Sequence, residues 1–263
     1  MTFAKNLESA LIATVLFFAL LGFALLCERI SPAQPQSLRS TRFNFVYSLF
    51  YLTIQTLIVP IVSSVTIVAV NASGGGWLVL PDSGWQLIAG VVLYTVTLDC
   101  MEYLFHRAQH RLPFLWSMHS LHHSDSALNA TTTSRHFGGE QGLKMVSVYL
   151  VPSVLFKANA TILALYAVLS LYNIFLHMNL RVGYRNKWTM AFNSPQYHRL
   201  HHSALPEHYD CNFAALLPVF DVVFGTFRRP LKDEYPPTGI DGDDKPSGMV
   251  EAICWPARTM IRR

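Results

Sequence analysis

The chemistry of this chain is concentrated in histidine. Eight of its 11 histidines fall in three short runs: His106-Arg-Ala-Gln-His110, His119-Ser-Leu-His122-His123 and His198-Arg-Leu-His201-His202. On a helix of about 3.6 residues per turn, positions i, i+3 and i+4 share a face, so each HxxHH run is expected to aim three imidazoles one way and HxxxH two. A lone histidine is ordinarily a satisfied core or surface residue, but three such runs in one chain are hard to explain that way. Neutral imidazole suits zinc, copper, iron and nickel, and a structural ion takes about four ligands, so eight or more histidines predict two metal ions sharing one site. No GxGxxG loop, Walker motif or HExxH motif accompanies them.

The elements that must position these residues are apolar. Of 263 residues, 51% are hydrophobic and 14% charged, and mean hydropathy is positive, which points to an integral membrane protein rather than an ordinary soluble enzyme. Cys27, Cys100, Cys211 and Cys254 are scattered without a CxxC pair, which argues against a disulfide framework or a thiolate metal site. The net charge of +4 lies at segment ends and in the C-terminal part, which suits anionic lipid headgroups and not nucleic acid.

Glu8 to Cys27 predicts a first transmembrane helix; a signal peptide is the competing reading, but no small-residue cleavage site follows. The linker from Ile30 to Thr41 and its flanks carry Arg29, Arg39 and Arg42, which assigns it to the cytoplasm. A second apolar run, Phe43 to Val70, has an expected kink at Pro60, and the loop up to Trp85 lacks Lys and Arg and is expected to face outward. The third run returns inward from Trp85 to His106. Asp99, Tyr103, His106 and His110 share one face of it. A metal-bound imidazole donates its other N–H to a carboxylate or carbonyl, and Asp99 and Glu102 are the expected acceptors; an arginine-paired helix carboxylate is the plainer reading of Asp99. Two shorter apolar runs, about Leu143 to Phe156 and Thr161 to Leu180, predict a hairpin with His177 at its inner end and Arg181, Arg185 and Lys187 at the boundary. All three histidine runs then meet at the cytoplasmic face. Pro230 to Pro246 reads as a surface loop, and Trp255 to Arg263 as an interfacial anchor.

From Asp99 to Thr226 the sequence resembles the fatty acid hydroxylase / sterol desaturase superfamily of membrane di-iron oxygenases. The resemblance is carried by Asp99 and Tyr103 before the HxxxH run, the first HxxHH run with its following serine, Asn129-Ala-Thr-Thr, Phe175-Leu-His177-Met-Asn179, Ser194-Pro195-Gln-Tyr before the second HxxHH run, and Asp221-Val-Val-Phe-Gly225-Thr226. It implies an all-α fold: an integral membrane helical bundle with a cytoplasmic helical cap carrying a histidine-rich dimetal site. The ligands it implies are His106, His110, His119, His122, His123, His177, His198, His201 and His202, with His136 as an additional candidate. Asp99, Tyr103 and Asp221 are the implied supporting catalytic residues. His208 matches nothing and reads as a surface residue. Where the family commonly has Asn-Tyr-Gly, this chain has Asn212-Phe213-Ala214, which puts a local contact in doubt.

The expected function is therefore hydroxylation or desaturation of an unactivated lipid C–H bond by two iron ions and O2. Sterols and fatty acyl chains are among the substrates expected. No cytochrome b5-like or ferredoxin-like segment is read in the chain, so a separate donor of either kind is expected, with Arg181, Arg185, Lys187, Arg228 and Arg229 as a docking surface; phospholipid headgroups compete for the same arginines. The expected organisation is a first helix and cytoplasmic linker at 1–42, a catalytic domain at 43–226 and a cytoplasmic tail at 227–263. A zinc-dependent membrane hydrolase and a non-catalytic metal-binding membrane protein are the alternatives. The first would want an HExxH-like base, and the second polar residues along the spans.

Overall fold

The computed structural model describes residues 3–81, 83–157, 159–182, 191–240 and 244–261. Arg185 and Lys187, and the terminal Arg262 and Arg263, lie outside them. Among the described residues the regular structure is helical, in the order α1 (Phe3–Glu28), α2 (Leu38–Ala72), α3 (Gly84–Arg111), α4 (Pro113–His123), α5 (Glu140–Ser147), α6 (Leu150–Leu155), α7 (Ala160–His177), α8 (Pro195–His201), α9 (Val219–Val223), α10 (Met249–Ile253) and α11 (Trp255–Ile261), with a 3-10 turn at Ala130–Ser134.

α2, α3 and α7 are long and apolar enough to cross a membrane, while Thr14–Glu28 within α1 is a shorter apolar stretch. Their outward faces are apolar, as with Ile61 (68% exposed) on α2 and Ile88 (67%) on α3, a pattern that lipid favours and water does not. α2 continues through Pro60, and Ser37 caps its start by accepting a hydrogen bond from Ser40 N at 3.2 Å. The first arm of the expected hairpin is not one span but the two short helices α5 and α6, parted at Val148 and Tyr149. They still reach the loop between α2 and α3, where Gly76 N and Leu78 N bond Val154 O and Leu155 O at 2.7 Å each. α7 begins at an Asn159 cap, whose Oδ1 accepts from Ile162 N at 3.0 Å, and ends on His177.

Leu112 and Pro113 redirect the chain at the critical point. Proline lacks an N–H and disfavours the α conformation in the residue before it, so α3 ends with Leu112 extended (φ −97°, ψ 119°) and Pro113 opens α4. The turn folds the first HxxHH run back beside HxxxH. Two buried carboxylates then lock the surrounding segments. Glu28 at the end of α1 accepts from Ala130 N (2.7 Å) and Asn179 N (3.0 Å). Asp125, just after α4, accepts from Asn44 (2.6 Å), Ser40 (2.7 Å) and Thr132 (2.7 Å), while Arg135 donates to Leu121 O (3.1 Å) and Ser124 Oγ (2.7 Å). Burial alone would raise the Asp125 carboxyl, but Arg135 and those three donors outweigh it and hold it below its ordinary range.

The C-terminal segment corrects one expectation. Trp255 is fully buried against Tyr47 and Leu121 and donates from Nε1 to Ser120 Oγ at 2.9 Å. It is a packing residue behind α4, not an interfacial anchor, because the ring fills the space under the first HxxHH run. The loop read from Pro230 to Pro246 is likewise engaged: Pro236 O accepts from Arg199 Nε at 3.0 Å and Thr238 Oγ1 from Leu128 N at 3.3 Å.

Candidate metal centre

The nine histidines expected as ligands come together in two adjoining sets. His106, His110, His119, His123 and His201 each offer a ring nitrogen, and these nitrogens lie within 4.8 Å of one another; so do those of His122, His177, His198 and His202. The sets share a wall in which the rings of His123 and His202 stack at 4.3 Å. The expectation that each HxxHH run aims three imidazoles one way is corrected. At about 100° per residue, i and i+4 point only about 40° apart, whereas i+3 and i+4 diverge by about 100°. His119 and His123 therefore serve the first set and His122 the second, while His198 and His202 serve the second set and His201 the first.

The nitrogen geometry fits metal ions. In the second set, Nε2 of His177 lies 3.0 Å from Nε2 of His122 and 3.0 Å from that of His198, which is 3.1 Å from that of His202. Two ligands held at right angles about 2.1 Å from one ion stand about 3.0 Å apart. The His177 ring cannot donate to both neighbours, because its Nδ1 faces the carbonyl of Asn173 at 2.7 Å and that carbonyl can only accept. In the first set, His106 Nδ1 donates to Phe213 O (2.7 Å) and His201 Nδ1 to Cys211 O (2.8 Å). That fixes the tautomer and leaves a bare lone pair on each Nε2; both Nε2 atoms are buried without a protein partner. Burial first, and then the neighbouring imidazoles, hold His122, His123, His198, His201 and His202 well below the usual histidine value, so they are neutral and able to ligate.

One loop orients three rings of the first set. Asp210, Cys211 and Phe213 present a carboxylate 3.5 Å from His110 Nδ1 and the carbonyls taken by His201 and His106. Asp210 and Asn212 adopt left-handed backbone (φ 55° and 58°), which Asp and Asn tolerate better than most residues. Asn212 is pinned by accepting from Arg228 N at 2.8 Å. The departure at Phe213 is not remote from the ligands: its ring lies 4.9 Å from that of His110 and 5.5 Å from that of His201.

Asp99 and Glu102 are not the acceptors for histidine N–H groups. Asp99 accepts from Leu216 N (2.9 Å) and Leu217 N (2.8 Å), and Glu102 from Lys144 (2.7 Å) and Tyr149 (3.3 Å). Asp221 accepts from Phe213 N (2.8 Å) and Ala214 N (2.9 Å) and from Tyr197 and Thr226, and Tyr103 OH meets Thr226 Oγ1 at 2.9 Å. Both therefore brace the loop that holds His106.

Besides Asp210, the carboxylate that faces ring nitrogens of the centre is Glu140, which the sequence reading missed. It is buried, accepts from Gln109 at 2.7 Å, and stands 3.4 Å from His119 Nδ1 and 3.2 Å from His136 Nδ1. Burial pushes its carboxyl up, but His136 and His119 outweigh that and hold it well below its ordinary value. His136 lies outside the two sets; with His119 and Glu140 it forms a third group whose ligand atoms lie within 4.8 Å of one another, and its ring stacks on His122 at 4.1 Å. Glutamate four residues after a histidine was the only available signal. His208 is buried rather than on the surface, between Ser203 Oγ (2.8 Å) and Glu234 (3.3 Å). Two of the arginines expected for a donor are engaged within the chain: Arg181 donates to Pro32 O at 3.2 Å and Arg228 to Glu207 O at 3.1 Å.

Comparison with known proteins agrees with this arrangement. Residues 91–226 match the model of the fatty acid hydroxylase family. The chain is 28% identical to alkylglycerol monooxygenase of Caenorhabditis elegans over 163 residues, covering 60% of this chain and 30% of that protein. It is 31% identical to ornithine lipid hydroxylase OlsE of Rhizobium tropici, covering 62% of this chain and 48% of the relative, and 28% identical to human cholesterol 25-hydroxylase, covering 52% and 51%. The chain thus spans about a third to a half of these relatives' own lengths. No solved structure gives a significant match. With the match running from the first third of α3 through the last residue of the Asp221-to-Thr226 motif and enclosing all nine clustered histidines, the chain belongs to the fatty acid hydroxylase family.

Proposed function

We propose that this chain is a multi-pass membrane oxygenase in which two iron ions, held by the two histidine sets on the cytoplasmic side, use O2 to hydroxylate an unactivated C–H bond of a lipid. Residues 43–226 form the catalytic domain, flanked by 1–42 and 227–263. The observation that carries the reading is the division of nine histidines into adjoining sets of five and four, gathered where the apolar helices α3 and α7 end. Hydroxylation is preferred to desaturation because the relatives are named as monooxygenases and hydroxylases. Alkylglycerols, ornithine lipids and sterols, the classes in those names, are the substrates to try first.

When bound, the metals supply O2 activation: one oxygen atom enters the C–H bond and the other leaves as water, with two electrons and two protons consumed. The rest falls to the chain. The carbonyls of Phe213 and Cys211 keep His106 and His201 in the ligating tautomer. Glu140 and Asp210 face the outer nitrogens of His119 and His110. The apolar outer faces of α2 and α3 present the site to lipid, and a separate donor, a cytochrome b5-like protein or a ferredoxin with its reductase, supplies the electrons.

Metal analysis and Mössbauer spectroscopy of the purified protein test the reading, together with lipid profiles of cells expressing wild type or His122→Ala. Two irons per chain and a hydroxylated lipid that disappears in His122→Ala are expected. One zinc per chain would replace the reading with a hydrolase, and readily exchanged metal with an unchanged lipid profile would replace it with a metal-binding protein.

A further inference from the structure

We propose that residues 214–224, including α9, rest in the lipid bilayer beside the inner half of α3 and so set the depth of the metal centre at the membrane boundary. The inference depends on reading α3 as a spanning helix. Its first support is that α9 is inside out for a helix in water. Val219, Val222 and Val223, at positions i, i+3 and i+4, are 47%, 44% and 69% exposed, whereas Asp221 is fully buried. A helix facing water turns its polar side outward, and an apolar outer face is what a lipid surface selects.

The second support is where the segment lies. Leu216 N and Leu217 N bond Asp99, about two turns of α3 before His106. At the other end, the Phe224 ring stacks on Tyr103 at 5.2 Å, with the Arg107 guanidinium 5.9 Å from its centroid. The segment therefore runs along α3 from the level of Asp99 to that of Arg107. Leu104, 42% exposed, continues its apolar surface, and Arg107 marks the headgroup level.

The third support is the backbone. Non-helical chain survives at membrane depth only when protein satisfies its polar groups. Here Ala214 N is taken by Asp221 and Leu216 N and Leu217 N by Asp99. Ala214 O accepts from the Asn193 side chain, and Leu216 O from Asn193 N at 2.9 Å. Pro218 has no N–H to satisfy. Asp99 thereby acquires a role that an ionisable residue in a span requires: it closes the backbone of a segment that dips into lipid.

The test is nitroxide labelling of Val223→Cys and, separately, Val219→Cys, in a chain carrying Cys27→Ala, Cys100→Ala and Cys254→Ala. The protein is reconstituted in phosphatidylcholine vesicles, and power-saturation EPR compares access of O2 with access of chromium oxalate. Val92→Cys on the lipid-facing side of α3 and Glu207→Cys, exposed shortly before the 210–213 loop, are the comparators, and bound metal reports that each variant is folded. Labels at 223 and 219 are expected to match Val92→Cys, with an oxygen-to-oxalate ratio several-fold above that at Glu207→Cys. Ratios like that at Glu207→Cys would overturn the proposal. So would exclusion of both reagents, which would mean that protein covers this face. If Val92→Cys itself reads as water-exposed, the spanning assignment of α3 fails; if only positions 223 and 219 do, the failure belongs to this inference alone.

Discussion

Nε2 of His177 and Nε2 of His198 face each other at 3.0 Å, joining the end of α7 to α8. With its Nδ1 committed to the Asn173 carbonyl, His177 has a single lone pair, directed into the second set. His177→Ala is expected to leave the first set intact and to lower the metal content from about two ions per chain to about one, since three imidazoles fall short of the about four ligands a closed site takes. Elemental analysis of purified protein measures this; retention of both metals would remove His177 from the ligands.

Glu140 faces the outer nitrogen of His119 at 3.4 Å and, through the ring of His136, backs His122. Loss of such an outer partner ordinarily weakens metal affinity about 10–100-fold. Glu140→Gln is expected to fold and to release metal to a chelator faster by a factor in that range, with a changed Mössbauer signature. An unchanged chelation rate and spectrum would make Glu140 a packing residue only.

The Asp125 and Arg135 pair sits beneath the first HxxHH run with both side chains buried. Removing one partner leaves an uncompensated charge, at a cost of about 3–5 kcal/mol. Asp125→Ala is expected to lower the thermal midpoint in detergent strongly, whereas Asp210→Asn, which keeps a residue suited to the left-handed backbone and removes a carboxylate that is 55% exposed, should shift it little. Equal shifts would contradict this ranking.

Acidification should destabilise the metal-free protein. His122, His123, His198, His201 and His202 have values well below 6.5 in the fold, and burial takes His119 down to about 4. Below about pH 6.5 the unfolded chain takes up protons that the folded chain refuses, so stability falls as pH falls. Thermal midpoints between pH 7.5 and about 5 are expected to decline steadily, and metal retention with them because the ligands must stay deprotonated. A flat profile would mean that these rings are not buried and neutral.

The sequence by itself determined which histidines share a helix and how they are directed on it. The runs at His106, His119 and His198 fix i, i+3 and i+4 neighbours through helical pitch alone, and the apolar length of α2, α3 and α7 follows from composition. Even the division of each HxxHH run was latent there, in the angle between i+3 and i+4. Only the tertiary structure decided that Glu140, and not Asp99 or Glu102, faces the ring nitrogens, that Trp255 is buried behind α4, and that one loop at 210–213 orients three rings. Sequence spacing carries direction within a single helix. The acceptor for a buried N–H is whichever group from any part of the chain arrives at hydrogen-bond distance, and that depends on how Leu112 and Pro113 turn the chain and how Asp125 and Glu28 lock it, which no local pattern encodes.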